Sequence, residues 1–145
     1  MSALTTALED PQIRAAVAAD GASLVEEEIS GKRGLRAAAL KAGFKTIKKI
    51  KPGIIPEAMS MLLPQFAPVI DPFYQKGLAN GDVDTYFKHH RSEIADALLS
   101  VTDARAERAK QRVMKKVYFS LRGQAKTHTE AAVPKLSGLI KRHVQ

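Results

Sequence analysis

From Leu35 to Lys51 the chain is written at the period of an α-helix. At ~100° per residue, Leu35, Ala39, Leu40, Gly43, Phe44, Ile47 and Ile50 fall in one arc about 180° wide. Lys41, Lys45, Lys48 and Lys49 fall in the arc opposite, Lys51 lies within about 20° of its edge at the end of the run, and Arg36 sits on the apolar side. A strand alternates sides at every residue and would scatter both sets over both faces. Pro52 lacks the N–H that a further turn needs, and Gly53 accepts the conformation that ends a helix.

The same period recurs along the chain. Asp10 before Pro11 is a helix start, an N-cap oxygen followed by a proline with φ already set. Ile13, Val17, Leu24, Val25 and Ile29 follow at helical spacing, and the helix should stop near Gly31. The short turn from Gly31 to Gly34 implies that the next helix returns antiparallel. Beyond it, Ile54 to Tyr74 is the densest apolar stretch, punctuated by Pro56, Pro64, Pro68 and Pro72, each the expected opening of a short helix. Asp71 before Pro72 repeats the start at residues 10 and 11.

Asn80, Gly81 and Asp82 mark a loop, and a short helix through Tyr86 and Phe87 should follow. Ser92 and Glu93 open a helix carrying Ile94, Leu98, Leu99 and Val101, with a restart at Thr102 or Asp103. Residues 103–122 place Val113, Met114, Val117, Tyr118 and Leu121 on one side, and Arg105, Arg112 and Lys116 on the other. Gly123 is an expected break, and Pro134 the expected start of a last helix with Leu136, Leu139 and Ile140. No stretch alternates as a strand does, and there is no internal repeat or linker. The expected fold is therefore all-α: a single compact bundle of five to eight helices over residues 1–145, with a proline-punctuated central elbow.

Composition supports this and removes several function classes. Of 145 residues, 22 are alanine, the best helix former and small enough for closely spaced helices. There is no cysteine, which excludes disulfides, zinc fingers, iron–sulfur sites and a thiol nucleophile. No apolar run approaches the ~20 residues that span a bilayer. Met1 to Asp10 has no basic patch and no apolar stretch of signal length, so the protein is expected in the cytoplasm.

Charge is strongly segregated. The net +8 divides into an acidic segment to residue 31, a basic one from 32 to 51, an acidic one to 102 and a basic one to the end. Glu26, Glu27 and Glu28 crowd the end of the first long helix, where acids oppose the macrodipole. Lys32 and Arg33 crowd the start of the next, equally unfavourable for bases. An antiparallel hairpin should neutralise these two sets against each other. It leaves Lys45, Lys48, Lys49 and Lys51 uncompensated on the basic face that begins at Lys41, and Arg105, Arg112 and Lys116 form a second basic stripe, partly balanced by Asp103 and Glu107.

Three stretches look familiar together: Lys48–Pro56 (KKIKPGIIP), Ala97–Ala106 (ALLSVTDARA), and Leu121–Lys126 (LRGQAK) with Val133-Pro134 beyond it. Over most of its length the chain resembles a family of small actinobacterial proteins of unknown function. The resemblance implies a compact bacterial cytoplasmic protein and supplies no catalytic or binding residues.

The leading functional expectation is a non-catalytic protein using these basic helix faces on an anionic partner, a nucleic acid backbone or an anionic membrane surface. Few aromatics lie near the basic runs, which favours phosphate contacts over base stacking. The alternative is a structural or adaptor protein acting through Met59, Leu62, Phe66 and Phe73 in the apolar region 54–74, a homo-oligomer being its simplest form. A third possibility, an enzyme or small-ligand carrier, requires a deep pocket with convergent polar groups. No catalytic motif is present, and His89, His90, His128 and His143 lack the spacing of metal ligands, so no cofactor or metal is expected.

Overall fold

The helix start at residue 10 is built as its chemistry requires. In the computed structural model, which describes residues 3–31 and 35–143, Asp10 is extended and its carboxylate accepts the Gln12 N–H at 2.8 Å. Helix α1 (Ala3–Ala7) precedes it, and α2 (Pro11–Ser30) is the helix it opens. There follow α3 (Leu35–Ile50), α4 (Ile54–Ala79), α5 (Val83–His89), α6 (Arg91–Glu107) and α7 (Arg112–His143). Among the described residues there are seven helices and no strand, so the chain is an all-α bundle.

The proline-rich region is one helix, not several. α4 runs unbroken for 26 residues through Pro64, Pro68 and Pro72. Spacing by four keeps these prolines on one side, and all three are exposed. The carbonyls they leave unbonded, of Ser60, Pro64 and Pro68, therefore face water, which supplies the missing donors. On the other side Leu62, Leu63, Ile70 and Tyr74 are buried, at ~1.5–3 kcal/mol each. Pro56 lies in the first turn, where its N–H would be unpaired anyway. The bend sits just before α4: at Pro52 and Gly53 (φ +78°) the chain turns by 93° between α3 and α4. Asp71, expected to start a helix, is buried in mid-helix, and its carboxylate accepts the Leu4 N–H of α1 at 3.4 Å.

The last helix also overrides its expected breaks. α7 passes through both Gly123 and Pro134 over 32 residues. Glycine costs ~1 kcal/mol there and proline ~3. Burying Val133, Leu139 and Ile140 returns more, at ~1.5–3 kcal/mol each. α6 shows no restart at Thr102, whose hydroxyl donates to the Leu99 carbonyl within the helix. The chain turns instead at residues 108–111.

The expected α2–α3 hairpin does not form as drawn. α3 packs chiefly on α7, with Gly43 against Val117 and Leu121. Lys48, far along α3, reaches back to Glu26 at 3.1 Å. In an antiparallel hairpin turning at residues 31–34, Lys48 would lie ~13 Å past Glu26 along the axis, so the helices cross instead of running side by side. Lys32 and Arg33, expected to neutralise the glutamates, lie outside the described residues, as do the side chains of Leu35, Arg36 and Leu40. Glu28 turns inward and pairs with Lys135 at 2.6 Å.

The close-packed core occupies one end of the bundle. Leu4, Ile70, Tyr74, Val83, Phe87, Ile94, Val133 and Ile140 form it, with Phe87 and Ile94 fully buried. A smaller cluster of Val17, Ala18, Leu63 and Leu139 adjoins it. The other end holds α3, the start of α4, the end of α6 and the first half of α7, which has no buried side chain before Val133.

Candidate binding cavity and its basic mouth

At that looser end the apolar faces of the helices do not meet. They leave a cavity of about 960 Å³, open to solvent along part of its boundary, reaching into the bundle between α2, α3, α4, α6 and α7. α3 contributes Phe44 and Ile47, α2 contributes Leu24, Val25 and Ile29, and α4 contributes Met59, Leu62 and Phe66. α7 lays a stripe at spacings of three and four: Met114, Tyr118, Leu121, Ala125, His128 and Ala132. The periodicity of residues 103–122 is thus as expected for Met114, Tyr118 and Leu121, while Val113 is 54% exposed.

The cavity is far larger than a packing defect. Water entering it would meet few partners, since the wall is overwhelmingly carbon. The size falls at the upper end of small-molecule sites, ~300–1,000 Å³.

Polar groups on the wall are few and mostly engaged. The Tyr118 hydroxyl donates to Asp103 at 2.6 Å and lies 2.6 Å from the Thr102 hydroxyl. Burial first, and then this bond to Asp103, push the phenol up to about 12. Burial would raise the Asp103 carboxyl, but hydrogen bonds from Arg122 (2.7 Å) and Tyr118 outweigh it and hold the group below its ordinary range. This network ties α6 to α7 along one side of the cavity.

The mouth of the cavity is marked by its exposed lining residues. Its exposed lining residues all come from two segments, Lys51–Met61 at the α3–α4 bend and Arg105–Gln111 at the α6–α7 turn. The charged groups among them are Lys51, Arg105, Arg108, Lys110 and a single acid, Glu57. Glu57 is taken up by Lys51 at 3.1 Å. Arg105 leans across to donate to Met61 Sδ at 3.6 Å, linking the two segments. Arg108 and Lys110 are exposed and make no ion pair among the described residues.

The two basic stretches of the sequence therefore meet, though not through all the residues expected. Lys51 and Arg105 stand at the mouth. Lys41, Lys45 and Lys49 are exposed on the outer face of α3, and Arg112 and Lys116 on the outer side of α7, all without an ion pair among the described residues. Lys48 and Lys51, expected to be uncompensated, are paired with Glu26 and Glu57. Arg108 and Lys110 lie in a turn with no helical stripe to single them out, and only the density of bases from 105 to 116 points to them.

The apolar partner surface expected at residues 54–74 faces inward. Met59, Leu62 and Phe66 form cavity wall, and Phe73 packs on the main core. Of the histidines, His90 stacks on Tyr86 with ring centroids 4.0 Å apart and His143 contacts Asp20. No group of three His, Asp or Glu among the described residues is arranged to hold a metal. Among the described residues, no single helix is long and apolar enough to cross a membrane.

No curated protein and no solved structure matches the chain. A family model matches residues 4–144, nearly the whole length. The chain thus belongs to DUF6918, a family of unknown function.

Proposed function

We propose that the protein is a non-catalytic cytoplasmic binder of a single-chain anionic amphiphile, the apolar chain lying in the cavity and the anionic head at the basic mouth. One observation carries the reading: among the described residues, the exposed part of the lining of a 960 Å³ apolar cavity is where Lys51, Arg105, Arg108 and Lys110 gather. Burial of a methylene contributes about 0.8 kcal/mol, so a long chain supplies ample affinity. A carboxylate or phosphate head finds arginine, whose fork suits bidentate contacts, beside lysine. Thr102 and Tyr118 are already bonded to each other or to Asp103, and they offer no free nucleophile or base.

This narrows the anionic partner expected from the charge pattern. A nucleic acid backbone satisfies the cations but leaves the cavity unexplained. An adaptor role through residues 54–74 lacks an outward apolar face at Met59, Leu62 and Phe66.

The test is binding of hexadecanoate and of its methyl ester to protein stripped of bound lipid, read by displacement of an environment-sensitive fluorophore. Hexadecanoate should bind at least about tenfold more tightly, since a hydrogen bond to a charged group contributes ~1.5–3 kcal/mol. Equal affinities would remove the role of the mouth, and no binding of either would remove the reading.

A further inference from the structure

The cavity mouth has a second property that ligand binding alone does not require. It stands on a blunt apolar tip. Pro52 and Gly53 are exposed at the 93° bend, Ile54 and Ile55 are partly buried just after it, and Met61 is 45% exposed one to two turns further on. Around this tip lie Lys49, Lys51, Arg105, Arg108 and Lys110. The opposite end of α4, ~39 Å away along its 26 residues, carries exposed Lys76 on its last turn and leads to Asp82 in the loop and to Asp84 of α5, which pairs with Lys141. Charge at that far end is thus mixed, whereas the mouth is basic and apolar.

We infer that the mouth docks on an anionic lipid bilayer, with the α3–α4 bend at the level of the head groups and the cavity opening toward the acyl chains. Apolar side chains framed by lysine and arginine suit an anionic interface, where each base near the surface strengthens binding about fivefold. The far end, with its mixed charge, offers no comparable basic surface. Docking also removes the largest obstacle to loading. Leaving a membrane through water costs a chain about fourfold in equilibrium per methylene, whereas a chain passing from the bilayer into a mouth pressed against it stays out of water. The inference rests on the ligand reading for the identity of the cargo, and the docking itself is measured separately.

The experiment is flotation of the full, lipid-stripped chain with vesicles of phosphatidylcholine alone and with ~30% phosphatidylglycerol, a content in the range of anionic leaflets. The protein should float with the anionic vesicles, fail to float with the neutral ones, and detach as salt is raised. Combining Lys49→Gln, Arg108→Gln and Lys110→Gln should weaken flotation about 100-fold, at roughly fivefold per base. Lys76→Gln, near the far end of α4, should leave it unchanged. Circular dichroism establishes that each variant is folded. Equal flotation with both vesicles, no flotation with the anionic ones, or equal sensitivity to Lys76→Gln would overturn docking at this face. So would tighter binding of random duplex DNA, per phosphate, abolished by the same triple substitution, which would assign the surface to nucleic acid. Ala125→Phe, at the cavity wall, separates the two readings: it should abolish hexadecanoate binding and spare flotation. Hexadecanoate binding without flotation refutes docking alone, and flotation without hexadecanoate binding refutes the ligand reading alone.

Discussion

Ala125→Leu tests whether the volume inside the bundle is truly unfilled. Ala125 is half-buried at mid-length of α7 and faces the cavity between Leu121 and His128. In an ordinary core, adding this bulk forces strained rotamers and destabilises by about 1–3 kcal/mol. Here the added carbons enter open apolar space. Three methylene equivalents at ~0.8 kcal/mol each give about 2.4 kcal/mol. Ordering a leucine side chain returns ~0.5–1 kcal/mol of that, and the change in helix propensity is small. The expected result is a stabilisation of about 1.5 kcal/mol, or roughly 3–6 °C in Tm for a chain of this size. The assay is thermal unfolding by circular dichroism on ligand-stripped protein. The same substitution in protein saturated with hexadecanoate should lose its advantage, because leucine and ligand compete for one volume. A lowered Tm in the stripped protein would mean that the helices close up in solution, and the ligand reading would fall with the cavity.

Three further outcomes follow from the same structure. Gly43→Ala should stabilise less than Gly123→Ala in denaturant titration, because its Cβ displaces the side-chain ends of Leu121 and Val117, whereas Gly123→Ala, with nothing within 4 Å, should stabilise by about 0.5–1 kcal/mol; equal shifts would contradict the α3–α7 contact. The Tyr118 phenol, raised to about 12, should appear as a step near that pH in the 295 nm difference between wild type and Tyr118→Phe, and a step near the ordinary ~10 would deny the Asp103 network. Since its folded pKa exceeds its unfolded one, its contribution to stability is whole below pH ~10 and is lost as pH climbs toward 12. Affinity for saturated carboxylates should rise about fourfold per added methylene until the chain outgrows the cavity, and an affinity independent of length would place the contacts at the mouth alone.

Much of the helical content was legible because it rests on local rules. Asp10-Pro11, Pro52-Gly53 and Asn80-Gly81-Asp82 act through their own backbone preferences, and each bounds a helix where it should. The errors have one origin. Pro64, Pro68, Pro72, Gly123 and Pro134 carry local penalties of ~1–3 kcal/mol, and burial elsewhere on the same helices exceeds them. Whether a proline breaks a helix depends on which side its freed carbonyl faces, and that is decided by the partners of the helix. The Glu26–Lys48 pair was missed for a related reason: sequence distance measures position along helices and not the angle at which they cross.

The cavity was illegible because apolar periodicity specifies which side chains face inward, not whether opposing faces touch. Phe44, Ile47, Met114 and Leu121 look the same in sequence whether they meet across a core or line an empty volume. The trace left in the sequence is compositional. Along the inward stripe of α7, the large residues Met114, Tyr118 and Leu121 give way to Ala125, His128, Thr129 and Ala132 before Val133 and Leu136 resume. A close-packed seam of that length would carry large side chains throughout. Abundant alanine suggested helices in close approach, which requires that the neighbours move in. α7 is held at its far end by Val133, Leu139 and Ile140, and α6 is tied to it through Asp103, Tyr118 and Arg122. With both ends of the stripe fixed, small residues between them become missing volume and not a tighter contact.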